Sequence, residues 1–192
     1  MNGLRKFSPL LVVTPLALAL DQWTKYLAVV HLTHALTAGG AHFYSAMRLL
    51  AYRAETVRVA SFWDFRYAEN TGAAFSFMAG TNDSLRVPFF YLVAVAATAL
   101  ILYFYVKSGP EHWLRRLALA MVLGGAFGNT LDRVVHGYVI DFILWHVGPH
   151  EWPVFNVADS FVCVGVFLLL TEGWFTKRLE GAAATTPSKA AS

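Results

Sequence analysis

Four apolar runs divide the chain, at residues 7 to about 30, 87–106, 117 to about 135 and 154–175. Each is long enough to cross a bilayer as a helix, which takes about 20 residues. Between the first two runs lies the largest polar stretch, residues 31–86. Within it residues 56–67, TVRVASFWDFRY, are rich in β-branched and aromatic residues with partial alternation, which predicts strand. Asn70-Thr71-Gly72 then predicts a turn. The pattern predicts an all-α membrane protein of four transmembrane helices, with a small extracytoplasmic β-rich subdomain on the outer membrane surface. Residues 1–180 form one domain, with the 31–86 loop inserted between helices one and two. The tail 181–192, GAAATTPSKAAS, is small and polar and is expected to be disordered.

Composition agrees with a membrane protein. The chain is 57% hydrophobic and only 14% charged, with mean hydropathy +0.49. Soluble domains carry more charge. The net charge of +3 is modest and its basic residues are scattered or flank apolar runs. That arrangement orients a membrane protein and offers no stripe for nucleic acid. A single cysteine, Cys163, excludes an internal disulfide and a cysteine-based metal cluster. Its apolar surroundings predict a buried, inert thiol.

Lysine and arginine set the orientation. Arg5 and Lys6 precede the first run, Lys107, Arg115 and Arg116 crowd the second turn, and Lys177, Arg178 and Lys189 follow the fourth run. Residues 138–153 contain neither type. Both termini are therefore expected in the cytoplasm. The five arginines within 31–86 oppose this, but long loops count for less. The N-terminus resembles a signal peptide. It is read as an uncleaved anchor because apolar sequence continues past Asp21.

Against this background the carboxylates stand out, because burying one in or near hydrocarbon is costly. Asn129 and Asp132 lie in GNTLDR, and Asn156 and Asp159 repeat the same four-residue frame in FNVADS. Asp141 falls between them in GYVIDFILW. With a rise of ~1.5 Å per residue, Asp21 lies roughly 21 Å along helix one and Asp132 roughly 22 Å along helix three. Asp159 lies about 8 Å below the outer end of helix four. These groups share the outer third of a ~30 Å core. Asp141 belongs to the outer loop, pressed against the membrane by apolar neighbours. A site is expected between helices one, three and four.

Each component has a structural alternative. Asp21 and Lys25, four apart, form a plausible ion pair. Asn129 and Asn156 fit a role as interhelical glue, and Arg133 fits a role as neutralising partner of Asp132. Two carboxylates held close share a proton. One then takes a proton from water while the other donates to a carbonyl oxygen. That aspartic-protease chemistry needs no metal or other cofactor. Histidine spacings at His31 and His34, or at His146, His150 and Glu151, lack a helix-borne ligand pattern. A proton-relay or transport subunit is the main competing class, and a structural assembly protein a third.

Five blocks resemble the lipoprotein signal peptidases (signal peptidase II), bacterial inner-membrane aspartic peptidases. They are DQWTK from Asp21, ENTGAAFS from Glu69, GGAFGNTLDR from Gly124, GYVIDFI from Gly137 and FNVADSFVCVG from Phe155. The resemblance implies removal of signal peptides from prolipoproteins by cleavage before a diacylglyceryl-modified cysteine. It implies catalytic roles for Asp141 and Asp159. Supporting roles pass to Asp21, Lys25, Asn70, Asn129, Arg133 and Asn156, and Asp132 becomes a structural partner. Depth alone does not separate Asp132 from Asp141. The resemblance further implies a multi-pass inner-membrane protein with its site facing the periplasm. Membrane lipid is the expected surroundings, a monomer the expected state, and no nucleic acid partner is expected. One departure is extra sequence between His31 and Val57, with an amphipathic stretch over residues 44–53.

Overall fold

The structure, a computed structural model, describes residues 2–36, 43–44, 55–72 and 83–184. Four long helices carry most of it: α1 (Asn2–Leu32), α2 (Asp83–Lys107), α3 (Trp113–His136) and α4 (Val157–Ala184). Each covers most of one predicted apolar run. Strands β1 (Thr56–Ala60) and β2 (Trp63–Asn70) lie between α1 and α2, and β3 (Val139–Val147) and β4 (His150–Glu151) between α3 and α4.

The helices alternate in direction. Near one end Leu10 of α1 and Leu169 of α4 pack against Tyr105 of α2 and Leu119 of α3. The Thr14 hydroxyl donates to the Ala120 carbonyl oxygen at 3.0 Å. At the other end Ala28, Val29 and Leu32 of α1 pack beneath Tyr67, Ile140 and Phe142 of the sheet. The sheet thus closes one end of the bundle, and α1 starts at the other.

Small residues let α3 sit close to two neighbours. A Cβ at Gly124 would meet Ala17 and Thr14 of α1, and one at Gly125 would run into the backbone of Ala158 in α4. Such small-residue contacts replace the hydrophobic drive that is missing between helices in lipid. By contrast, α2 faces outward. Its segment Val87–Lys107 has hydropathy 2.2 and is 11% buried. Among the described residues it is the one helix both long and apolar enough to cross a membrane by length and composition.

The four strands form one antiparallel sheet in the order β1-β2-β3-β4. The strand predicted over 56–67 is a hairpin of β1 and β2. The predicted turn is present, with the Asn70 side-chain oxygen accepting the Gly72 N–H at 3.0 Å. Much of the loop expected over 138–153 is instead strand, and Asp141 lies in β3, paired with Ala68 of β2. Its residues VIDFILWHV suit a strand, but the partner that makes it one lies about 70 positions earlier. Gly137 ends α3 with φ 79°, a left-handed cap, and its N–H reaches the Arg133 carbonyl at 3.1 Å. That cap turns the chain from α3 into β3 within two residues.

Two further expectations change. Cys163 is exposed, not buried. An apolar run in such a helix marks an apolar exterior as readily as a protein core. Helix α4 also continues to Ala184, through the first four residues of the tail expected to be disordered. Residues 185–192, and the amphipathic stretch 44–53 apart from Tyr44, lie outside the described residues.

The glycine contacts have a measurable consequence. Gly125→Ala should lower the thermal midpoint in detergent, because overpacking against backbone costs about 1–3 kcal/mol. Gly173→Ala, with nothing within 4 Å of the added methyl, should leave the midpoint unchanged or raise it. Equal effects of the two would refute the close approach of α3 and α4.

Candidate active site

The site is built around Lys25, which is fully buried. Its ammonium lies 2.7 Å from Asp21 and 2.9 Å from Asp132, and donates to the Asn129 side-chain oxygen at 3.2 Å. All three donors are used. The Asp21–Lys25 pair expected from i,i+4 spacing is present, and a carboxylate from α3 completes it. Asp132 does not pair with Arg133. Adjacent helical residues point about 100° apart, so Arg133 turns away. It donates to the Asn129 carbonyl at 3.1 Å and the Gly72 carbonyl at 2.9 Å, and lies over the Phe90 ring at 4.6 Å.

The two buried carboxylates also hold backbone. The Ala158 N–H, in the first turn of α4, donates to Asp21 at 2.8 Å. The Ile140 N–H, at the start of β3, donates to Asp132 at 3.0 Å. Gln22, a residue the sequence did not single out, donates to Asp132 at 2.8 Å and to Asp21 at 3.3 Å. Gly128 was likewise missed, and a Cβ there would run into the Asp21 carboxylate. Its signal was the close spacing of Gly124, Gly125 and Gly128 on one helix.

Asp141 and Asp159 are brought together from β3 and α4. Phe155 pairs with Ile143 as an antiparallel bridge, with bonds of 2.8 and 3.0 Å between their backbones. That fixes the start of α4 beside β3. Asn156 then caps α4. Its side-chain oxygen accepts the Asp159 N–H at 2.9 Å, while Asp159 accepts the Asn156 N–H at 3.1 Å. This reciprocal pair is a capping box. The other Asp159 oxygen accepts from the Asn129 amide at 2.7 Å.

Asp141 is 2% exposed. Its oxygens accept from the Asn156 amide at 2.7 Å and the Asn70 amide at 3.1 Å. Burial is the largest influence on its carboxyl and the nearby Asp159 charge the next, and together they raise its pKa from 3.8 to about 7. The two amides oppose that shift. Asn156 also donates to the Asn129 oxygen at 3.0 Å, so one amide touches both halves of the polar cluster. Every predicted site residue, namely Asp21, Lys25, Asn70, Asn129, Arg133, Asp141, Asn156 and Asp159, belongs to this one connected network.

Two of the outer histidines lie beside carboxylates apart from it. His34 lies 3.4 Å from Glu55 and His146 3.2 Å from Asp64. Arg66 holds Glu151 with two bonds of 3.0 and 2.8 Å.

A helical bundle capped by a small sheet, with the Asp141 and Asp159 carboxyls close together at their junction, is an arrangement that suits an aspartic peptidase. Residues 13–175 match the family model described as Signal peptidase (SPase) II. The lipoprotein signal peptidase of Anaeromyxobacter sp. (strain Fw109-5) is 41% identical, covering 88% of each chain. That of Syntrophotalea carbinolica is 39% identical over 89% of this chain and 94% of its own. The Francisella tularensis subsp. novicida protein is 33% identical over 93% and 99%. The chain belongs to the signal peptidase II family. A solved bacterial membrane enzyme shares the fold with a TM-score of 0.63 at 22% identity, over 94% of this chain and 93% of its own.

The held proton links Asp141 to stability. The carboxyl ionises near 3.8 in the unfolded chain and about 7 in the folded one. The folded state therefore binds the proton more tightly, and the stabilisation is complete below 3.8 and lost as pH rises toward 7. Asp141→Asn lacks this linkage. Between about pH 4 and 7 the thermal midpoint of the native protein should fall relative to that of Asp141→Asn. A midpoint difference independent of pH would contradict the raised carboxyl.

Proposed function

We propose that Asp141 and Asp159 are the acid and base of peptide hydrolysis in this chain. As a member of its family the chain is an aspartic endopeptidase that removes signal peptides from prolipoproteins. The observation that carries the residue assignment is the buried Asp141 carboxyl, pushed up to about 7 by burial and by the Asp159 charge beside it, with both carboxyls held by the asparagine amides. In this reading Asp159 takes a proton from the attacking water, and Asp141 donates to the carbonyl oxygen of the scissile bond. Asn70, Asn129 and Asn156 hold the two carboxyls in place, Arg133 ties the Gly72 turn to α3, and the Asp21–Lys25–Asp132 group supports them all. No metal or cofactor enters.

The four helices cross the inner membrane, with the sheet on the periplasmic side and the site in the outer leaflet. Their alternating directions, the apolar α2 and the lysine and arginine distribution support this. A diacylglyceryl-modified cysteine would keep its acyl chains in lipid while the adjacent peptide bond reaches the carboxyl pair at the sheet–bundle junction. Proton relay across the membrane is less well supported, because an apolar layer around Tyr105, Leu119 and Leu123 separates the carboxyl cluster at the sheet end from the charged groups at the other end.

Asp141→Asn and Asp159→Asn keep shape but remove the proton system. Single-turnover cleavage of a diacylglyceryl-modified prolipoprotein should fall by several orders of magnitude in each, since either role is typically worth 10²–10⁴-fold. Activity of the native enzyme should decline as pH rises through about 7, where Asp141 loses its proton, and should survive chelators. Asp132→Asn should instead lose stability, with turnover retained in the folded fraction. A folded, active Asp141→Asn beside a folded, inactive Asp132→Asn would move the assignment.

Topology is tested with single cysteines in a Cys163→Ala background. A cysteine at Gly109 should be protected from an impermeant reagent in intact cells, and one at Gly148 should react. The reverse pattern would overturn the orientation.

A further inference from the structure

We propose that the start of α3 binds a phosphate group, supplied in the cell by an anionic phospholipid headgroup of the leaflet opposite the active site. The motive is Arg116. Its side chain is 3% exposed, yet among the described residues no carboxylate pairs with it. The guanidinium makes one long bond, 3.5 Å from Nη2 to the Tyr105 hydroxyl, and stacks over that ring at 5.3 Å. Its Nε is sequestered with no hydrogen-bond partner. Tyr105 does not neutralise it, and its hydroxyl already accepts the Leu10 N–H at 3.2 Å. A buried cation without a counter-charge is strongly unfavourable.

Two carboxylates lie near the start of α3, and both are engaged elsewhere, the exposed Glu111 lying 3.6 Å from His112. Glu172 bonds Arg115 at 2.8 Å and lies 3.3 Å from His112. Lys107 leans over Tyr103 at 5.8 Å. The first turn of α3 therefore holds Arg115 and Arg116 and no acidic residue. Those cations sit at the positive end of a helix, where anions are favoured. His112, at the N-cap, makes no side-chain cap bond, and the first N–H groups of a helix have no acceptor within the helix itself. Free helix N–H groups beside a guanidinium suit the oxygens of a phosphate. Lipid is the natural source, because Phe7 stacks on Tyr105 at 6.0 Å and the apolar face of α2 ends here. Basic sites between helices at the cytoplasmic side are where anionic headgroups bind. Only the identity of the leaflet rests on the orientation proposed above.

The test uses the full chain in neutral-detergent micelles, doped with phosphatidylglycerol, phosphatidylcholine or inorganic phosphate. These micelles have no sidedness, so the result is independent of topology, and repeating it with Asp159→Asn makes it independent of catalysis. Phosphatidylglycerol should raise the thermal midpoint above phosphatidylcholine, saturably, and remain bound in native mass spectrometry. Inorganic phosphate giving the same shift would support the phosphate site but overturn lipid as its source. Arg116→Gln should weaken the apparent phosphatidylglycerol affinity about tenfold or more, as expected for loss of a charge-assisted bond. Lys107→Gln should keep it. If Arg116→Gln does not fold, Arg116→Lys should show an intermediate affinity. Equal midpoints of the native protein in the two lipids, or equal loss in Lys107→Gln, would overturn the proposal.

Discussion

One buried ammonium organises this molecule. Lys25 sits between Asp21 and Asp132 with no exposure on any of the three. Burying such a group is unfavourable unless every partner is present, and removing one partner typically costs about 3–5 kcal/mol. Here the remaining oxygens are also occupied, by Gln22 and by two backbone N–H groups. Those two groups explain the placement of the site. Asp132 holds the N–H of Ile140, and the next residue is Asp141. Asp21 holds the N–H of Ala158, and the next residue is Asp159. Each member of the carboxyl pair therefore follows directly from a residue tied to the same cluster. The separation of β3 from α4 is set inside the protein, away from water.

The asparagines carry that order outward. The Asn129 side-chain oxygen accepts a hydrogen bond from Lys25, so its amide NH2 faces Asp159. A charge on Lys25 thus fixes which way this amide points. Asn156 performs three tasks with one side chain: it caps α4, bonds Asn129 and donates to Asp141. Losing it would free the helix end and the Asp141 carboxyl together. Its measured effect would combine folding and chemistry.

Much of this was legible in the sequence. The apolar runs gave the four helices, and the spacing of Asp21 and Lys25 gave their pair. The repeated Asn-x-x-Asp frame drew attention to residues that meet in one polar network but concealed two different structures. At 156–159 it is a capping box at a helix start. At 129–132 it lies in mid-helix and splits its members between Asp159 and Lys25. Periodicity alone does not tell these apart, because the difference is where the helix begins. The strand at Asp141 was hidden for a related reason. Its apolar run reads equally as loop pressed on a membrane until β2, far away in sequence, supplies the ladder. The exposure of Cys163 shows the complementary limit, since an apolar run does not say whether protein or lipid covers it.

The same geometry bears on the choice between chemistry and ion transport. A relay through the membrane needs titratable or hydrated groups in series. From Asp21 toward the far end of the bundle, α1 presents Ala17 and Thr14 to Gly124 and Ala120 of α3. Beyond them lie Leu10, Leu119 and Leu123 around Tyr105. The next charged groups, Arg116 and Glu172, sit past this apolar layer. The described helices thus hold two polar zones separated by an apolar, close-packed section. The carboxyls of Asp141 and Asp159 connect to the Asp21–Lys25–Asp132 cluster, and beyond that cluster the described helices place no charged group until Arg116 and Glu172. That confinement suits a pair that returns its proton at the same place in each turnover, which hydrolysis requires and transport does not.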